Sequence, residues 1–426
     1  MRSAARQRSI AALVNRFFTD LRHNPGMDGD DFFNPPRLMR VARMWLCLAA
    51  ALLLAILWRQ SQVGWSDGIG APFGEDFINF WSGARLALDG RWDVIYDIAA
   101  FHAYQNGVVG AEIGLYHYSY PPVAWLLTAP FAALPYLAGW AAWQVGGWLA
   151  FALALRRVLP RHWLILSLAA PVIFLNASAG QNGCWTAAAI GWGMILLRSR
   201  PLLAGAILAL FVIKPQLGWL IPLALLAGRQ WRALAAFMLT SAALLLLSLL
   251  LFGGEAWLAY LGQAQLLKRV ILEDGLGTWH RMLSMFVVVR HGGGTVAAAY
   301  VAQAMMSLVV AAIVTRQWWH HGANEQSYAM LILGMLAGSL YVSDYDCVMA
   351  IFPVCWRWRG AGPAERVALA GLIVLPLVAA SLAVASQLAL GAMLLWWPFA
   401  LAARDFFTGR RLDPDRLRRT GAASSA

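Results

Sequence analysis

Long apolar segments separated by short polar segments make up most of the chain. The first apolar segment covers residues 41–58, and further apolar segments follow between residues 121 and 403. A helix needs about 20 apolar residues to cross a membrane, and most segments between the polar breaks are near that length or shorter. The pattern predicts an all-α polytopic integral membrane protein with about 10–13 transmembrane helices.

Two prolines complicate the second apolar stretch, residues 121–155. Pro130 and Pro135 interrupt it, and a proline inside a helix removes a backbone hydrogen bond. The sequence predicts a short interfacial or half-inserted helix over residues 121–134, followed by a full span over residues 136–155. Two short full spans are the alternative.

Arginine clusters in the short polar segments predict the topology. Loops rich in arginine lie on the cytoplasmic side of a membrane, which places both chain ends in the cytoplasm and residues 59–120 outside. The loops without arginine clusters then share the outer face. Segments 202–213 and 215–226 are short for full spans, and a broken or re-entrant helix there would change this assignment.

The polar interval of residues 59–120 stands out between the apolar segments. Apolar residues recur within it at helical spacing, which predicts an amphipathic helix over residues 77–88 and a second one over residues 98–105. Asp76 and Asp97 each precede one of these helices, where a carboxylate can accept a hydrogen bond from a backbone N–H group. We therefore expect ordered helical structure at the membrane surface.

Composition agrees with a membrane protein. Of 426 residues, 60% are hydrophobic and 13% are charged, whereas a soluble protein carries about 25% charged residues. The net charge of +12 comes from arginines between apolar segments, so it indicates topology and not nucleic-acid binding. Residues 1–43 lack an early apolar segment, so we expect no cleavable signal peptide, and residues 9–21 have the pattern of an amphipathic helix.

These patterns divide the chain into three parts. Residues 1–40 form a basic cytoplasmic segment, residues 41–403 form the transmembrane domain, and residues 404–426 form a cytoplasmic tail. The transmembrane domain carries two long outer loops, residues 59–120 and residues 253–294. The four cysteines have no metal-binding spacing and fall in or beside apolar segments, which favours buried, inert thiols.

Lys214 is one of only two lysines in the chain, and it lies inside an apolar segment. An ammonium group at membrane depth is costly and marks a candidate functional site. The functional interpretation is a cation that binds a lipid phosphate or another anion. The structural alternative is a lysine near a helix end whose charged head extends to the interface.

Asp76 and its neighbour Glu75 are candidates for acid–base chemistry. A general base beside an apolar helix needs a carboxylate whose pKa suits proton transfer. The structural alternative is a helix cap or a solvated loop acid. The residues alone leave both interpretations open.

Polar residues also interrupt the apolar pattern at three later places. Gln181 and Asn182 stand between two glycines, either as a simple turn or as amide groups that line a sugar-binding cavity. Asp344 and Asp346 form an acidic-aromatic cluster with their neighbours. A carboxylate pair could bind a metal, but no nearby His or Glu completes a ligand set, and the alternative is a solvated loop end. His280 and Arg281 form a cationic pair that could bind an anion.

A set of short motifs follows the same order as in a known family. They are Asp76-Phe77, Ala84-Arg85-Leu86-Ala87-Leu88-Asp89-Gly90, Tyr96-Asp97, Tyr120-Pro121-Pro122, Pro130 with Leu134-Pro135, Gly180-Gln181-Asn182 and Ile213-Lys214-Pro215. Together they resemble glycosyltransferase family 87 (DUF2029), membrane transferases of the GT-C fold that use polyprenyl-phosphate sugars. The similarity extends from about residue 40 to residue 360.

The resemblance implies a function and a set of roles. The enzyme would move a mannose-like hexose from a polyprenyl-phosphate donor to an envelope glycolipid or glycan on the extracytoplasmic face of the bacterial inner membrane, with inversion and with membrane lipids as its surroundings. It implies no cofactor and no bound metal. The implied residues are Asp76 as catalytic base; Lys214, Arg281 and His280 at the donor phosphate; and Gln181, Asn182, Tyr120, Glu75 and Asp344 at the sugar or acceptor.

Two other functions fit the same residues. A transporter or flippase of a lipid-linked or anionic solute would use Lys214 and the polar turns to line a passage, although such proteins commonly show paired repeats. An inactive family member with a scaffolding role is the third hypothesis. The long ordered outer loop favours the enzyme.

Overall fold

The computed structural model describes residues 36–276, 279–374, 376–386, 389 and 391–407. The helix predicted over residues 9–21 and the tail beyond residue 407 lie outside these ranges. All regular secondary structure within the described residues is helical. The predicted all-α class is confirmed.

The helices follow the polar and apolar pattern. In the first half of the chain they are α1 (Pro36–Arg59), α2 (Phe77–Leu88), α3 (Trp92–Ile95), α4 (Ile98–Val109), α5 (Val123–Ala132), α6 (Tyr136–Val158), α7 (Trp163–Ala169), α8 (Pro171–Ser178), α9 (Gly183–Leu196) and α10 (Pro201–Leu208). In the second half they are α11 (Pro215–Gly218), α12 (Leu220–Ala227), α13 (Trp231–Leu267), α14 (Met285–His291), α15 (Val296–His321), α16 (Glu325–Gly338), α17 (Ile351–Arg357), α18 (Pro363–Val374), α19 (Pro376–Ser386) and α20 (Gly391–Phe407). Short 3₁₀ and π turns occupy Ala209–Ile213, Lys268–Glu273, Trp279–Arg281 and Asp344–Ala350.

Four helices of the described part are long and apolar enough to cross a membrane. They are the segment Met39–Arg59 of α1, helix α6, the segment Trp231–Glu273 that contains α13, and helix α15. The bent pair α18 and α19 makes a fifth if it counts as one span. The predicted total of 10–13 spans stays a prediction, because many of the remaining apolar helices are too short to cross alone.

The proline-rich stretch after residue 120 forms the short helix α5 and then the long helix α6, as predicted. Segments 202–213 and 215–226 are broken at Lys214, which separates a 3₁₀ turn from the short helix α11. The segment of residues 253–294, expected to be a long loop, is largely helical. Helix α13 continues past a break at Gly253, where φ is 80°, and this left-handed conformation suits glycine.

Helix α2 has the predicted bounds and is mostly buried, including its polar residues Asn79 and Ser82. Its side chains are buried on nearly every side, with Phe77 and Ile78 fully buried. Glycine at position 83 lets the ring of Tyr118 lie against the helix, since an added Cβ would come within 2.5 Å of that ring. Tyr118, near the end of the outer loop, therefore covers the face of α2 that carries Gly83.

Aromatic contacts fix α2 onto the membrane-spanning helix α6. The ring centroid of Phe80 lies 4.8 Å from that of Trp143, and the Phe77 ring lies 5.6 Å from Tyr136. Burying each phenylalanine contributes about 1.5–3 kcal/mol, and paired rings add about 0.5–1.5 kcal/mol. The packing of α2 against α6 therefore stabilises the position of Asp76 at the start of α2.

Candidate active site

Asp76 lies at the start of α2, but its side chain does not cap the helix. Its Oδ2 atom accepts a hydrogen bond of 2.7 Å from Nε2 of Gln181, and its backbone N–H donates to the carbonyl of Ala179 at 3.2 Å. The helix-cap interpretation of Asp76 is wrong. By contrast, Asp97 caps α4 as predicted, because its carboxylate accepts from the backbone N–H of Ala100 at 2.9 Å.

Two glycines hold the polar turn between α8 and α9 against two other segments. Gly180 has φ of +62°, and a Cβ built on it would lie 1.9 Å from the carbonyl oxygen of Gly74. A Cβ on Gly183 would lie 2.4 Å from the carbonyl oxygen of Tyr345. The turn is thus packed between the first outer loop and a late segment, so it does more than join two helices.

We expect Gly180→Ala to destabilise the protein by more than about 1 kcal/mol and to lower its activity. The added methyl group would push the backbone of Gly74 away, and alanine is strained at positive φ. Gly107→Ala in α4 is a matched control, since nothing lies within 4 Å of its Cβ position, and it should be neutral or stabilising by about 0.5–1 kcal/mol. Thermal unfolding of both variants in detergent tests this, and equal melting temperatures would contradict it.

Lys214 is buried, with only 2% of its surface exposed. Its Nζ atom donates a hydrogen bond of 2.8 Å to Oδ1 of Asp346, and the ammonium lies 4.6 Å from the ring centroid of Tyr345. The snorkelling interpretation is therefore wrong. Its role toward a donor phosphate stays a prediction.

Arg281 forms a second ion pair beside the first. Its Nε and Nη2 atoms donate to the two carboxylate oxygens of Asp344 at 3.1 and 3.2 Å. Asp344 is buried, with 1% exposure, so the interpretation as a solvated loop end is wrong. The side chain of Arg281 keeps 31% exposure, so the protein does not fully enclose it.

Tyr345 connects the two ion pairs, and the sequence did not single it out as a site residue. Its ring lies 4.6 Å from the ammonium of Lys214 and 5.8 Å from the guanidinium of Arg281. Cations gain stabilisation over an aromatic face. The alternation of Asp344, Tyr345 and Asp346 was visible in the sequence, but only the fold shows which cation each residue meets.

His280 adjoins Arg281 on a short 3₁₀ turn. Burial and the neighbouring Arg281 guanidinium both lower the pKa of His280. A lowered pKa favours the neutral imidazole, which can still donate one hydrogen bond to an anion. The anion-binding role itself stays a prediction.

Amide groups complete the polar cluster. Nδ2 of Asn182 donates to the hydroxyl of Tyr120 at 3.2 Å. The side-chain amide oxygens, Oε1 of Gln181 and Oδ1 of Asn182, are buried and have no hydrogen-bond partner within the described part of the chain. Buried polar atoms are normally paired, so these two oxygens are free to accept hydrogen bonds from ligand hydroxyls.

Two other donors hold the carboxylate of Glu75. Its carboxylate accepts from the hydroxyl of Tyr116 at 2.7 Å and from Nε2 of Gln60 at 3.0 Å. Gln60 also accepts from the backbone N–H of Gly74 at 3.1 Å. These hydrogen bonds connect Glu75 to other residues of the outer loop and stabilise the loop. The predicted contact of Glu75 with sugar or acceptor stays a prediction.

We expect Glu75→Gln to remove a pH dependence of stability. Burial raises the pKa of Glu75, and the hydrogen bond from Tyr116 opposes this. The folded protein thus holds the proton more tightly than the unfolded chain, so wild-type stability falls as pH rises from the usual value of about 4.5 through the raised pKa. The variant should melt above wild type at about pH 8 and match it near pH 4; parallel curves of melting temperature against pH would contradict this.

His117 is another titratable residue near Asp76, and the sequence did not identify it as a site residue. Burial lowers the pKa of His117, while the nearby Asp76 carboxylate raises it. Asp76 also interacts electrostatically with Lys214, Arg281 and Tyr345. The outer loop and three later segments therefore meet around one carboxylate.

The charges of the cluster are unequally paired. Asp346 is matched by Lys214 and Asp344 by Arg281. Asp76 forms no ion pair with any residue that the structure describes, and a neutral amide is its hydrogen-bond donor.

The fold and this cluster define a polytopic membrane protein with a polar, cation-bearing site built by loops between apolar helices. Residues 118–343, more than half of the chain, match the sequence profile of glycosyltransferase family 87. The chain belongs to glycosyltransferase family 87 and is a membrane glycosyltransferase. No curated protein and no solved structure matches the chain.

The matched region contains most of the predicted site. These residues are Tyr120, Gln181, Asn182, Lys214, His280 and Arg281. Glu75 and Asp76 precede it, and Asp344 follows it by one residue. Asp76 lies outside the matched residues, and the structure places it beside the other residues of the predicted site. Within the described ranges, no three His, Cys, Asp or Glu side chains form a cluster that could hold a metal ion.

Proposed function

We propose that the protein transfers a mannose-like hexose from a polyprenyl-phosphate donor to a hydroxyl group of an envelope glycolipid or glycan, with inversion at the anomeric carbon. The observation that carries this proposal is the unpaired Asp76 carboxylate beside two cations. The carboxylate provides a base, and the cations suit an anionic leaving group.

In the proposed step, the acceptor hydroxyl oxygen forms a bond to the anomeric carbon as the bond from that carbon to the phosphate oxygen breaks. Asp76 takes the hydroxyl proton, and the electron pair of the broken bond passes to the phosphate. Attack opposite to the leaving group inverts the configuration. The hydrogen bond from Gln181 leaves one Asp76 oxygen, Oδ1, for the acceptor.

Arg281 and Lys214 have different parts in this proposal. Arg281 is partly exposed and can turn its free N–H groups toward the phosphate, because guanidinium binds phosphate oxygens well. Lys214 is buried against Asp346 and acts on the phosphate mainly through its charge. His280 adds a neutral donor beside Arg281.

The unpaired side-chain amide oxygens of Gln181 and Asn182 suit the hydroxyl-rich substrates of this reaction. Each can accept a hydrogen bond from a sugar or acceptor hydroxyl, and an unpaired buried acceptor costs about 1–3 kcal/mol until it finds a donor. Tyr120, Glu75 and Asp344 complete this proposed region. We assign no cofactor, since the lipid-linked sugar is itself the activated substrate.

The arginine-rich loops support a position in the bacterial cytoplasmic membrane with both ends in the cytoplasm and the site outside. A lipid-linked donor fits this position, because its tail stays in the bilayer while the sugar projects from it. Helix α5 contains Pro130, and the short helix α11 begins at Pro215. We propose that these interrupted helices leave room for the lipid tail of the donor.

Transfer assays with purified protein in proteoliposomes test the proposal. We expect labelled sugar to move from polyprenyl-phosphate hexose to a glycolipid acceptor, and not from a nucleotide sugar. Polyprenyl-phosphate arabinose serves as a second donor arm. Movement of intact labelled lipid between leaflets without transfer would instead support a flippase, and transfer from a nucleotide sugar alone would contradict the proposed donor class.

A further inference from the structure

A second cationic site lies far from Asp76. A cavity of about 740 Å³ is lined by Arg198, Arg229 and Arg232 together with Gln230, Trp231 and Asn324. Ligand sites in proteins commonly have volumes of about 300–1,000 Å³. The cavity is therefore large enough for a lipid headgroup, and none of the proposed catalytic residues lines it.

Two helices place this cavity at the opposite end of the helix bundle from the candidate active site. Helix α9 begins directly after Asn182 and ends next to Arg198, which is about 21 Å along its axis. Helix α16 begins directly after Asn324 and ends at Gly338, a few residues before Asp344. Each helix thus runs from one site toward the other, and the two sites lie at opposite ends of these helices.

The arginines of the cavity lack acidic partners. No acidic side chain lines it within the described part of the chain, and Arg198, Arg229 and Arg232 form no ion pair with any described residue. Three guanidinium groups that share a cavity repel one another unless an anion is bound between them. Arg198 and Arg232 are exposed, so solvent or a ligand can reach them.

Topology alone does not account for this arrangement. The positive-inside rule explains why arginines lie in these segments, but not why two separate segments bring three of them into one cavity. The backbone of Arg229 is held at φ of 55°, a conformation that non-glycine residues rarely adopt. Its guanidinium lies 5.3 Å from the ring centroid of Trp319, which fixes the direction of the charge.

The surroundings of the cavity indicate where its ligand comes from. Trp231 and Trp319 are each 59% exposed, and tryptophan is enriched at the boundary between bilayer and water. Guanidinium groups bind phosphate oxygens through paired hydrogen bonds. We propose that this cavity binds the phosphate group of an anionic lipid headgroup, in the leaflet opposite to the candidate active site.

Two variants and one matched control test this proposal. Arg198→Gln/Arg232→Gln removes two charges from exposed positions, and Arg200→Gln removes an equally exposed arginine that does not line the cavity. Thermal unfolding of the full chain in detergent is measured against added phosphatidylglycerol, phosphatidylcholine or inorganic phosphate. A ligand that binds the folded state raises the melting temperature.

We expect phosphatidylglycerol to stabilise wild type and Arg200→Gln at the same concentrations, and to need about thirtyfold more lipid for the double variant. Phosphatidylcholine should have little effect. A shift with inorganic phosphate that the double variant loses would assign the site to free phosphate and overturn the lipid source. Equal lipid shifts in wild type and the double variant, or no shift in wild type, would overturn the site itself.

Discussion

Replacing Asp76 with asparagine is expected to lower kcat for sugar transfer by about 10²- to 10⁴-fold, the range for loss of a general base. Asparagine can still accept the hydrogen bond from Gln181, so the geometry of the turn should persist while the base is lost. Single-turnover transfer in proteoliposomes measures the effect. Binding of the donor should change little, because the proposed phosphate contacts lie on other residues.

Asp93→Asn is the matched control for this experiment. Asp93 lies in the same outer loop, but it is exposed and has no part in the cluster. We expect its rate to stay within about twofold of wild type, as for surface changes of small energy. A rate for Asp76→Asn within that same range would remove Asp76 from the chemistry and direct attention to Glu75 or Asp344.

Lys214→Met is expected to destabilise the protein by about 3–5 kcal/mol, because it leaves the buried Asp346 carboxylate without its cation. The affected pair is buried on both sides, with each side chain 3% exposed. Chemical unfolding in mixed micelles measures the loss. A change below about 1 kcal/mol would show that water or another group already screens Asp346.

The double variant Lys214→Met/Asp346→Asn separates folding from catalysis. It removes both charges, and the asparagine oxygen can still accept the hydrogen bond that Asp346 takes from the backbone N–H of Ser343 at 3.0 Å. We expect most of the stability to return, whereas transfer stays low if the charge of Lys214 serves the leaving phosphate. Recovery of wild-type transfer would contradict the proposed role of Lys214.

Local pattern predicted the elements of this fold well. The bounds of α2 agree with those expected from helical spacing, and Asp97 caps α4 as the sequence suggested. The burial of α2 was not predictable from its own residues. Its polar face carries Ser82 and Gly83, which looked compatible with solvent, but Tyr118 covers that face from a distant segment.

The convergence of polar segments was also predicted, because the arginine pattern placed them on one face. Which residues would pair was not predicted. Lys214 meets Asp346 across 132 positions of sequence, and Arg281 meets Asp344 across 63. The sign of a charge and its depth in the membrane allow many possible partners. Which cation pairs with which carboxylate depends on how the helices pack.

The glycines around Gln181 show the same limit. Glycine on both sides of a polar pair indicated a turn, and the structure contains one. The reason for both glycines is contact with two other backbones, at Gly74 and at Tyr345. Local turn propensity predicts the bend in the chain. The two contacts depend on segments that are about a hundred or more residues away in the sequence; Asp76 and Gln181, for example, are 105 residues apart.

An electron cryomicroscopy structure of the wild-type protein with a bound polyprenyl-phosphate sugar tests the central claim most directly. We predict that the phosphate lies within about 4 Å of the Arg281 guanidinium and on the side of Lys214, with the anomeric carbon facing the Oδ1 atom of Asp76. A donor phosphate bound away from both cations, with Asp76 remote from the sugar, would contradict the account.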